Sequence, residues 1–583
     1  FVALISNTIL VLEGPPGRGK TAISKAIYNY LNIVDENLKR INFSPSTILE
    51  DVFSRTIPKI DGEKVSTEKK EQGLLSILKK SENSTKYYNQ GLILDEINLA
   101  SDILLEYLYS YLNSIFNQED YISPDGDKYE NIGNIGVIAT MNDAKLSNSR
   151  TSLSISFLNR CHFLKLPDYS INEIELLAEE IIRKSNNRLS NGDTFLRVIK
   201  CFKISQEISK KYSETGGNTF REILKLGQFI DKCDEIPIDY LLELIFSRNI
   251  PASEIEKFKS ETGLNSISNS LNELKLKIEN KHLCFDNFVK YKLINPENYE
   301  IKTQFTIPQK DALMKIMIGL LAERPILLSG DIGTGKTFIV EQLANLIGAK
   351  LKIIQFNSET TSLDIIGKLE LTIDNKKIDE LKKSIKLFRD KLIAKKYPKI
   401  TEFIVESEFL DISKIQNFLN KEEVNFLNGK EKEDLDLQFE YNQIKEKINK
   451  LSGIKKTHFN FNLSALIKAM ENGEWILLDD INFAPQEIEG LMPLLEEEPT
   501  LTIYENDPVL FFTKDKTKIK NNEADFEIHQ IHPDFRLFIS TSKDTNISSA
   551  IKSRCLCIQI QPFKEAKDYA ELIANNLKYS DIA

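Results

Sequence analysis

What is scarce in this chain of 583 residues narrows it before any motif is read. It has one tryptophan, five histidines and six cysteines, and Cys161, Cys201, Cys233, Cys284, Cys555 and Cys557 form no CxxC pair. So few imidazoles and no paired thiols exclude a cysteine-rich metal site and point to reduced cysteines. No apolar run approaches the roughly 20 residues that span a bilayer. The opening "FVALISNTILVLEG" is broken by Ser6, Asn7 and Thr8, so it reads as a buried strand rather than a signal peptide, and no membrane partner is expected. Positive charge is in deficit: 76 Lys and Arg against 86 Asp and Glu leave −10, which argues against a broad nucleic-acid-binding surface.

What is present is the composition of a globular protein, 41% hydrophobic and 28% charged, with a length that predicts roughly two to four domains. The organising feature is an internal repeat: "VLEGPPGRGKTAISKAI" returns as "LLSGDIGTGKTFIVEQL". In copy one, "TILVLEG", "LKRINFS", "GLILDEIN", "IGVIATMN" and "CHFLKLP" alternate with helical patterns such as "TAISKAIYNYL" and "DILLEYLYSYLNSI". Copy two gives "PILLSG", "LKIIQFNS", "WILLDDIN", "FRLFIST" and "CLCIQIQP" in the same order, with "TFIVEQLANLI" and "EIEGLMPLLEE" between them. Runs that are apolar throughout, separated by helices, predict an α/β fold in which each copy is a parallel sheet covered on both faces.

Ile171 to about Asn295 reads as helices, a small helical domain after the first sheet. Asp374 to Lys450 is rich in lysine and glutamate, with Leu381, Ile385, Phe388 and Leu392 at helical spacing, which predicts a helical insertion in copy two. A solvated helical hairpin with no partner is the plain alternative for that stretch. Because the chain opens at Phe1 and stops at Ala583 inside a helical pattern, it reads as a piece of something longer.

The chemistry sits in the repeat. Gly14, Pro15, Pro16, Gly17, Arg18, Gly19, Lys20 and Thr21 form one GxxxxGK[ST] loop, and Gly330, Asp331, Ile332, Gly333, Thr334, Gly335, Lys336 and Thr337 form the other. Glycines let backbone N–H groups wrap phosphates at a helix N-terminus; Lys20 and Lys336 are expected on the β and γ phosphates of ATP, Thr21 and Thr337 on Mg2+. Downstream, "LILDE" and "ILLDD" end buried strands in acids. Asp95 and Asp479 are the expected metal carboxylates, and Glu96 and Asp480 the acids that polarise the attacking water. Asp480 is one methylene shorter than Glu96, so site two is expected to bind ATP and hydrolyse it slowly or not at all.

Asn142, at the end of "IGVIATMN", is a candidate for positioning water, and Arg160 in "FLNRC" for stabilising charge on the γ phosphate. Their counterparts are Ser542, a poorer positioning group, and Arg554 in "SAIKSRC". Arg221, in "GGNTFREILKL", is a candidate nucleotide contact from the helical region; a solvent-facing arginine at a helix end is as good a reading from sequence.

In this order, phosphate loop, acid-tipped strand, polar sensor, arginine and helical lid resemble the AAA+ ATPases. "LKRINFSPSTILEDVF", "DEINLAS", "DDINFAP" and "HPDFRLFIST" are similar to the dynein-related branch, in which several modules lie on one chain. "NFNLSALIKAMENGEWILLDDINFAP" with "SSAIKSRCLCIQI" is similar to the member of that branch that removes assembly factors from pre-60S ribosomal particles. Asp480 and Ser542 depart from the family's pattern.

The resemblance implies two tandem P-loop AAA+ parallel-sheet domains. Their expected bounds are 1–167 for the first sheet domain and 168–295 for its helical lid. Residues 296–562 would form the second sheet domain, with an insertion over about 374–450, and 563–583 the start of a further lid. It implies ATP and Mg2+ as cofactors, further modules of the same parent chain as partners in a pseudo-hexameric ring, and a nuclear location, or otherwise a cytoplasmic one. It also implies that nucleotide lies between neighbouring modules, so that Arg554 would serve site one while Arg160 would face a preceding module. Two other readings stay open: a non-hydrolysing, nucleotide-stabilised strut, and a GTP-dependent restriction-type subunit, whose usual "MNTADRS" differs from "MNDAKLSNSR" here.

Overall fold

The computed structural model describes residues 7–560, except 16, 34–36, 44–46, 62–63, 72–73, 76–89, 124–125, 131–134, 143–152, 154, 168, 185–191, 213–218, 234–235, 249, 265–275, 286–288, 295–304, 373–442, 444–457, 484–489, 504–508, 516–525 and 543–546. The expected insertion over 374–450 and the lid start at 563–583 therefore lie, but for residue 443, outside the described residues. By contacts the chain divides into two units, one holding both sheet domains and one made of residues 55–70 and 368–462. In the smaller unit the strands Ser54–Asp61 and Lys64–Glu71 pair with each other, as do Gly367–Thr372 and His458–Leu463.

Copy one builds a five-stranded sheet from β1 (Ile9–Glu13), β2 (Leu38–Asn42), β3 (Gln90–Asp95), β4 (Ile135–Met141) and β5 (Cys161–Lys165), in the order β2-β3-β4-β1-β5. All four ladders are parallel. Every residue of β3 and β4 is buried, which is why they are continuously apolar instead of alternating. On the sheet lie α1 (Lys20–Tyr30) and α2 (Asp102–Phe116), the latter capped by Ser101. A Cβ on Gly91 of β3 would meet the Tyr28 ring at 2.8 Å, and the Tyr28 hydroxyl lies 3.0 Å from the carbonyl of Leu92 and 2.7 Å from that of Gly136. A glycine in mid-strand thus lets α1 dock closely on the sheet.

Residues expected to be helical throughout form α3 (Ile171–Lys184), α4 (Gly192–Tyr212), α5 (Phe220–Lys232), α6 (Ile238–Phe246) and α7 (Ile255–Thr262). They are followed by an antiparallel meander of β6 (Leu276–Glu279), β7 (His282–Phe285) and β8 (Val289–Lys292), which corrects that reading. Asn280 and Lys281, both with positive φ, make the two-residue turn that right-twisted hairpins favour, and β6 alternates half-buried and exposed residues with a period of two.

Copy two repeats the first architecture. α8 (Ile307–Leu321) opens on a Thr306–Gln309 capping box and leads into β9 (Ile326–Ser329), α9 (Lys336–Ile347), β10 (Leu351–Gln355), α10 (Ala465–Asn472) and β11 (Trp475–Asp479). Next come β12 (Thr500–Ile503), β13 (Val509–Thr513) and β14 (Phe526–Gln530), then β15 (Arg536–Thr541), α11 (Ser549–Arg554) and β16 (Leu556–Gln559). The parallel sheet runs β10-β11-β15-β9-β16, the same order as in copy one. Trp475 is fully buried against Phe538, ring centroids 5.2 Å apart. β12 and β13, from "LTIYENDPVLFF", pair antiparallel. The helical pattern in "EIEGLMPLLEE" becomes, over its described residues, a 3-10 turn at Met492–Leu495 with Pro493 at its second position. Proline's fixed φ and missing N–H suit the start of such a turn and not a helix interior.

The cores do not follow the repeat. Copy one's sheet has its own core around Val11, Leu92, Leu94 and Val137. The helical region instead shares one core with copy two: Ile223, Leu226 and Phe229 of α5 and Leu241 and Ile245 of α6 join Leu313 and Met317 of α8, Leu328, and Leu556 and Ile558 of β16. Polar contacts seal the boundary. Lys225 donates to the Cys555 carbonyl at 2.9 Å, the Tyr240 hydroxyl to Asp311 at 3.0 Å, and the Ile294 N–H to the Ile347 carbonyl at 2.9 Å. Burial pushes the Lys225 ammonium down to about 8. Among the described residues no helix is long and apolar enough to cross a membrane.

Gly91→Ala is expected to destabilise the protein by about 1–3 kcal/mol through overpacking against Tyr28, measured as a lowered denaturant midpoint at unchanged m-value. A midpoint equal to the parent's would contradict the close docking of α1.

Candidate nucleotide site between the two sheet domains

Each loop leaves a buried strand and enters a helix. Gly17 (φ 81) and Gly19 (φ 71) hold the left-handed conformation in copy one, as do Gly333 (φ 84) and Gly335 (φ 82) in copy two. A Cβ at Gly333 or Gly335 would meet nothing, so there the backbone conformation, not crowding, requires glycine. Neither α1 nor α9 has an acid in its first turn, and no side chain caps Gly19 or Gly335. The N–H groups and positive dipole of two helix starts are thus presented by a glycine loop, the donor set that suits polyphosphate.

Lys20 Nζ donates to the carbonyls of Gly14 (2.9 Å) and Pro15 (3.0 Å), and Lys336 Nζ likewise to Gly330 (2.9 Å) and Asp331 (3.0 Å). Thr334 donates to the Asp331 carbonyl at 2.9 Å, and Ile332 is 88% exposed. Arg18 stacks over the Tyr169 ring at 4.8 Å, which ties loop one to the segment entering α3. Pro16 lies outside the described residues.

The acids stand beside the loops as the spacing predicts. Thr21 Oγ1 lies 3.3 and 3.4 Å from the two Asp95 oxygens, and Thr337 Oγ1 donates to Asp479 Oδ2 at 2.9 Å. A hydroxyl beside a buried carboxylate is the oxygen-rich donor set that Mg2+ prefers. Two residues that sequence reasoning missed orient these carboxylates: Thr140 Oγ1 donates to Asp95 Oδ1 and Ser540 Oγ to Asp479 Oδ1. The same hydroxyls accept from the Glu96 N–H (3.3 Å) and the Asp480 N–H (3.0 Å). A signal was available, since both hydroxyls stand two positions before the sensor residue in "IATMN" and "ISTS".

Glu96 and Asp480 share φ 56, a left-handed conformation that costs a non-glycine residue about 1 kcal/mol or more and that aspartate tolerates better than glutamate. From that turn Glu96 accepts from Asn142 Nδ2, while Asn142 Oδ1 accepts from Lys20 Nζ at 2.6 Å. Loop lysine, sensor amide and second acid therefore form one chain in copy one. Copy two differs: the Ser542 N–H and Oγ both turn to Asn482 Oδ1 at 3.1 Å, and among the described residues no hydrogen bond joins Ser542 to Lys336 or Asp480. Burial lowers the Lys336 pKa against the pull of Asp480 and Asp479.

The arginines separate. Arg160 is exposed and lies over the Tyr109 ring of its own domain at 4.0 Å, and among the described residues no hydrogen bond or ion pair joins it to site one. Arg221 runs its stem past Gly17, whose Cβ would lie 3.6 Å from Arg221 Cγ, and donates to Ser553 Oγ of copy two at 2.5 Å. Arg554, the next residue, reaches Glu496 at 3.4 Å; Glu496 pairs with Arg40 at 3.1 Å; and Arg40 pairs with Asp95 at 2.5 Å. Burial, with the Arg554 charge, lowers Arg221 to about 10 against the pull of Glu222, Glu496 and Glu96. Burial would raise Asp95, but Arg40 and the Thr140 hydroxyl hold it below the usual carboxylate range. Glu496 is held low in the same way, against burial, by Arg40 and Arg554. The structure thus brings Arg221 and Arg554 to site one and leaves Arg160 away from it. Arg40 and Glu496, unremarked in the sequence, complete the cluster.

Two parallel sheets of one strand order, each with a phosphate-type loop and an interior acid-tipped strand, define a tandem P-loop protein of the AAA+ class. Residues 9–161 and 325–392 match the AAA domain of the dynein-related subfamily. Over 94% of its length it is similar to midasin, at 25% identity to the protein of Dictyostelium discoideum and 23% to that of Giardia intestinalis. It spans 10% and 12% of those relatives, so it corresponds to a small part of each.

The lowered pKa values set an acid limit. Carboxylates depressed in the folded state contribute stability that is present above their unfolded values, near pH 4, and is lost as pH falls through the folded values. Stability is expected to fall below about pH 4, with a shallower slope in Glu496→Gln, read by urea unfolding across that range. An identical slope would contradict the Glu496 ion pairs.

Proposed function

We propose that this chain is an ATP-binding and ATP-hydrolysing segment of a ring-shaped dynein-related AAA+ mechanoenzyme, with site one completed by Arg554 from the second module. The observation that carries this reading is the junction of Arg554, Glu496, Arg40 and Asp95, which sets residues of the second module into the charge cluster of the first module's loop. The residues fit nucleotide with Mg2+: Thr21 and Asp95 would hold the metal in site one, Thr337 and Asp479 in site two. Bound there, Mg2+ neutralises phosphate charge.

The other roles belong to the chain. Lys20, now paired with carbonyls and Asn142, exchanges those partners for phosphate oxygens. Glu96, held by the Asn142 amide, is set to orient water as base. Arg221 and Arg554 offer positive charge from the lid and from the neighbouring module. Because lid one shares its core with sheet two, a change at loop one moves the lid and the second module as one body.

Site two supports a weaker role. Its shorter acid and its serine, turned to Asn482, favour a nucleotide-stabilised strut there. For the parent chain we propose removal of assembly factors from pre-60S ribosomal particles, in the nucleus, on the resemblance of copy two. Further modules of the same chain and those particles are its partners.

Turnover by this chain is expected to fall about 10³-fold in Glu96→Gln or Arg554→Ala, with ATP affinity within about threefold of the parent. Asp480→Asn is expected to leave turnover within about twofold. Fast hydrolysis by Arg554→Ala would contradict the shared site, and loss of turnover in Asp480→Asn alone would move catalysis to site two.

A further inference from the structure

We infer that Arg40 is a positioning residue that sets the metal requirement of site one and passes its state to Glu496 across the module boundary. The inference rests on the nucleotide reading of site one. Arg40 stands on β2, and its guanidinium is shared between two carboxylates. Nε and Nη2 donate to Asp95 Oδ2 at 3.0 and 2.5 Å, while Nη1 and Nη2 donate to Glu496 Oε2 and Oε1, each at 3.1 Å. With Thr140 on the Asp95 Oδ1 atom, the Oδ2 atom that Arg40 occupies is the oxygen left to serve a cation beside Thr21.

A guanidinium cannot shed its proton at any working pH, so it offers permanent positive charge at that oxygen. Two cations cannot both enjoy the same carboxylate at full strength, because each lowers the negative potential the other sees. Metal at Asp95 therefore loosens Arg40 from Asp95 and commits it to Glu496, which sits beside Arg554. Without metal, Arg40 is divided between the two.

The fold does not demand this arginine. β2 and β10 pair with their acid-tipped strands in the same register, and the residue matching Arg40 in copy two is Ile353, 40% exposed. An arginine in a strand position where its structural twin has isoleucine, bridging carboxylates 55 and 456 residues away in sequence, is placed by the site and not by the sheet.

The test confines binding to site one with Lys336→Ala and titrates Mg2+ against a fluorescent ATP analogue, read by bound fluorescence. In that background Arg40→Ile is expected to lower the half-saturating Mg2+ concentration by about tenfold, with nucleotide affinity in excess chelator within about twofold. Glu496→Gln is expected to move it the other way, by about threefold, because Arg40 then commits to Asp95. A merely structural role would weaken binding in both variants and shift both in one direction. An unchanged or raised Mg2+ requirement in Arg40→Ile, or equal directions in the two, overturns the inference. If Lys20→Ala in the same background leaves the analogue bound, the nucleotide reading of site one is what fails.

Discussion

Apolar residues of α5 and α6 share one core with α8 and β16, and the rest of the arrangement depends on that shared core. Residues such as Leu226, Phe229, Leu313 and Leu556 fuse the lid of the first module to the sheet of the second in one core. Each such side chain contributes on the order of 1.5–3 kcal/mol on leaving water, so the pair is held far more firmly than surface ion pairs would hold it. The lid meets loop one at Gly17 through Thr219 and Arg221, and the second module meets the lid at Ser553 and Cys555. Loop one, lid and second module are thereby linked in series.

On that frame, charge is placed with little freedom. Arg221, Arg554 and Arg40 crowd against Asp95, Glu96 and Glu496, half of them from positions far apart in sequence. Burial opposes the charged forms, yet the opposite charges win for both Asp95 and Glu496, whose pKa values are lowered. Such a cluster stores unfavourable desolvation that polyphosphate and metal can relieve, which is why a binding site is the natural place for it. The second loop has the same cradle with a different surround: Ser542 faces Asn482, and Ile353 stands where Arg40 stands in the first.

Much of this was legible in the sequence because it is local. Continuous apolar runs marked β3, β4 and β11; glycines with lysine and threonine marked both loops; and acids at strand ends marked Asp95 and Asp479. The meander at β6 to β8 was lost because short strands with charged residues look like helix surface, and its signal was only the Asn280–Lys281 turn. The Arg40–Glu496 pair spans 456 residues and could not be read from either partner alone. The merged core was hidden for a related reason: the repeat suggested a boundary after the lid, whereas amphipathic helices say only that they need a partner, not which one.

The claim that nucleotide at the first loop is felt by the second module is tested most directly by hydrogen exchange at α11. With Lys336→Ala silencing loop two, addition of ATP and Mg2+ should slow exchange of the α11 amides and of Leu556, because Arg221 and Arg554 become anchored across the boundary. Exchange in α11 that is the same with and without nucleotide, while amides of loop one are protected, would show that the first site works alone and would contradict the account.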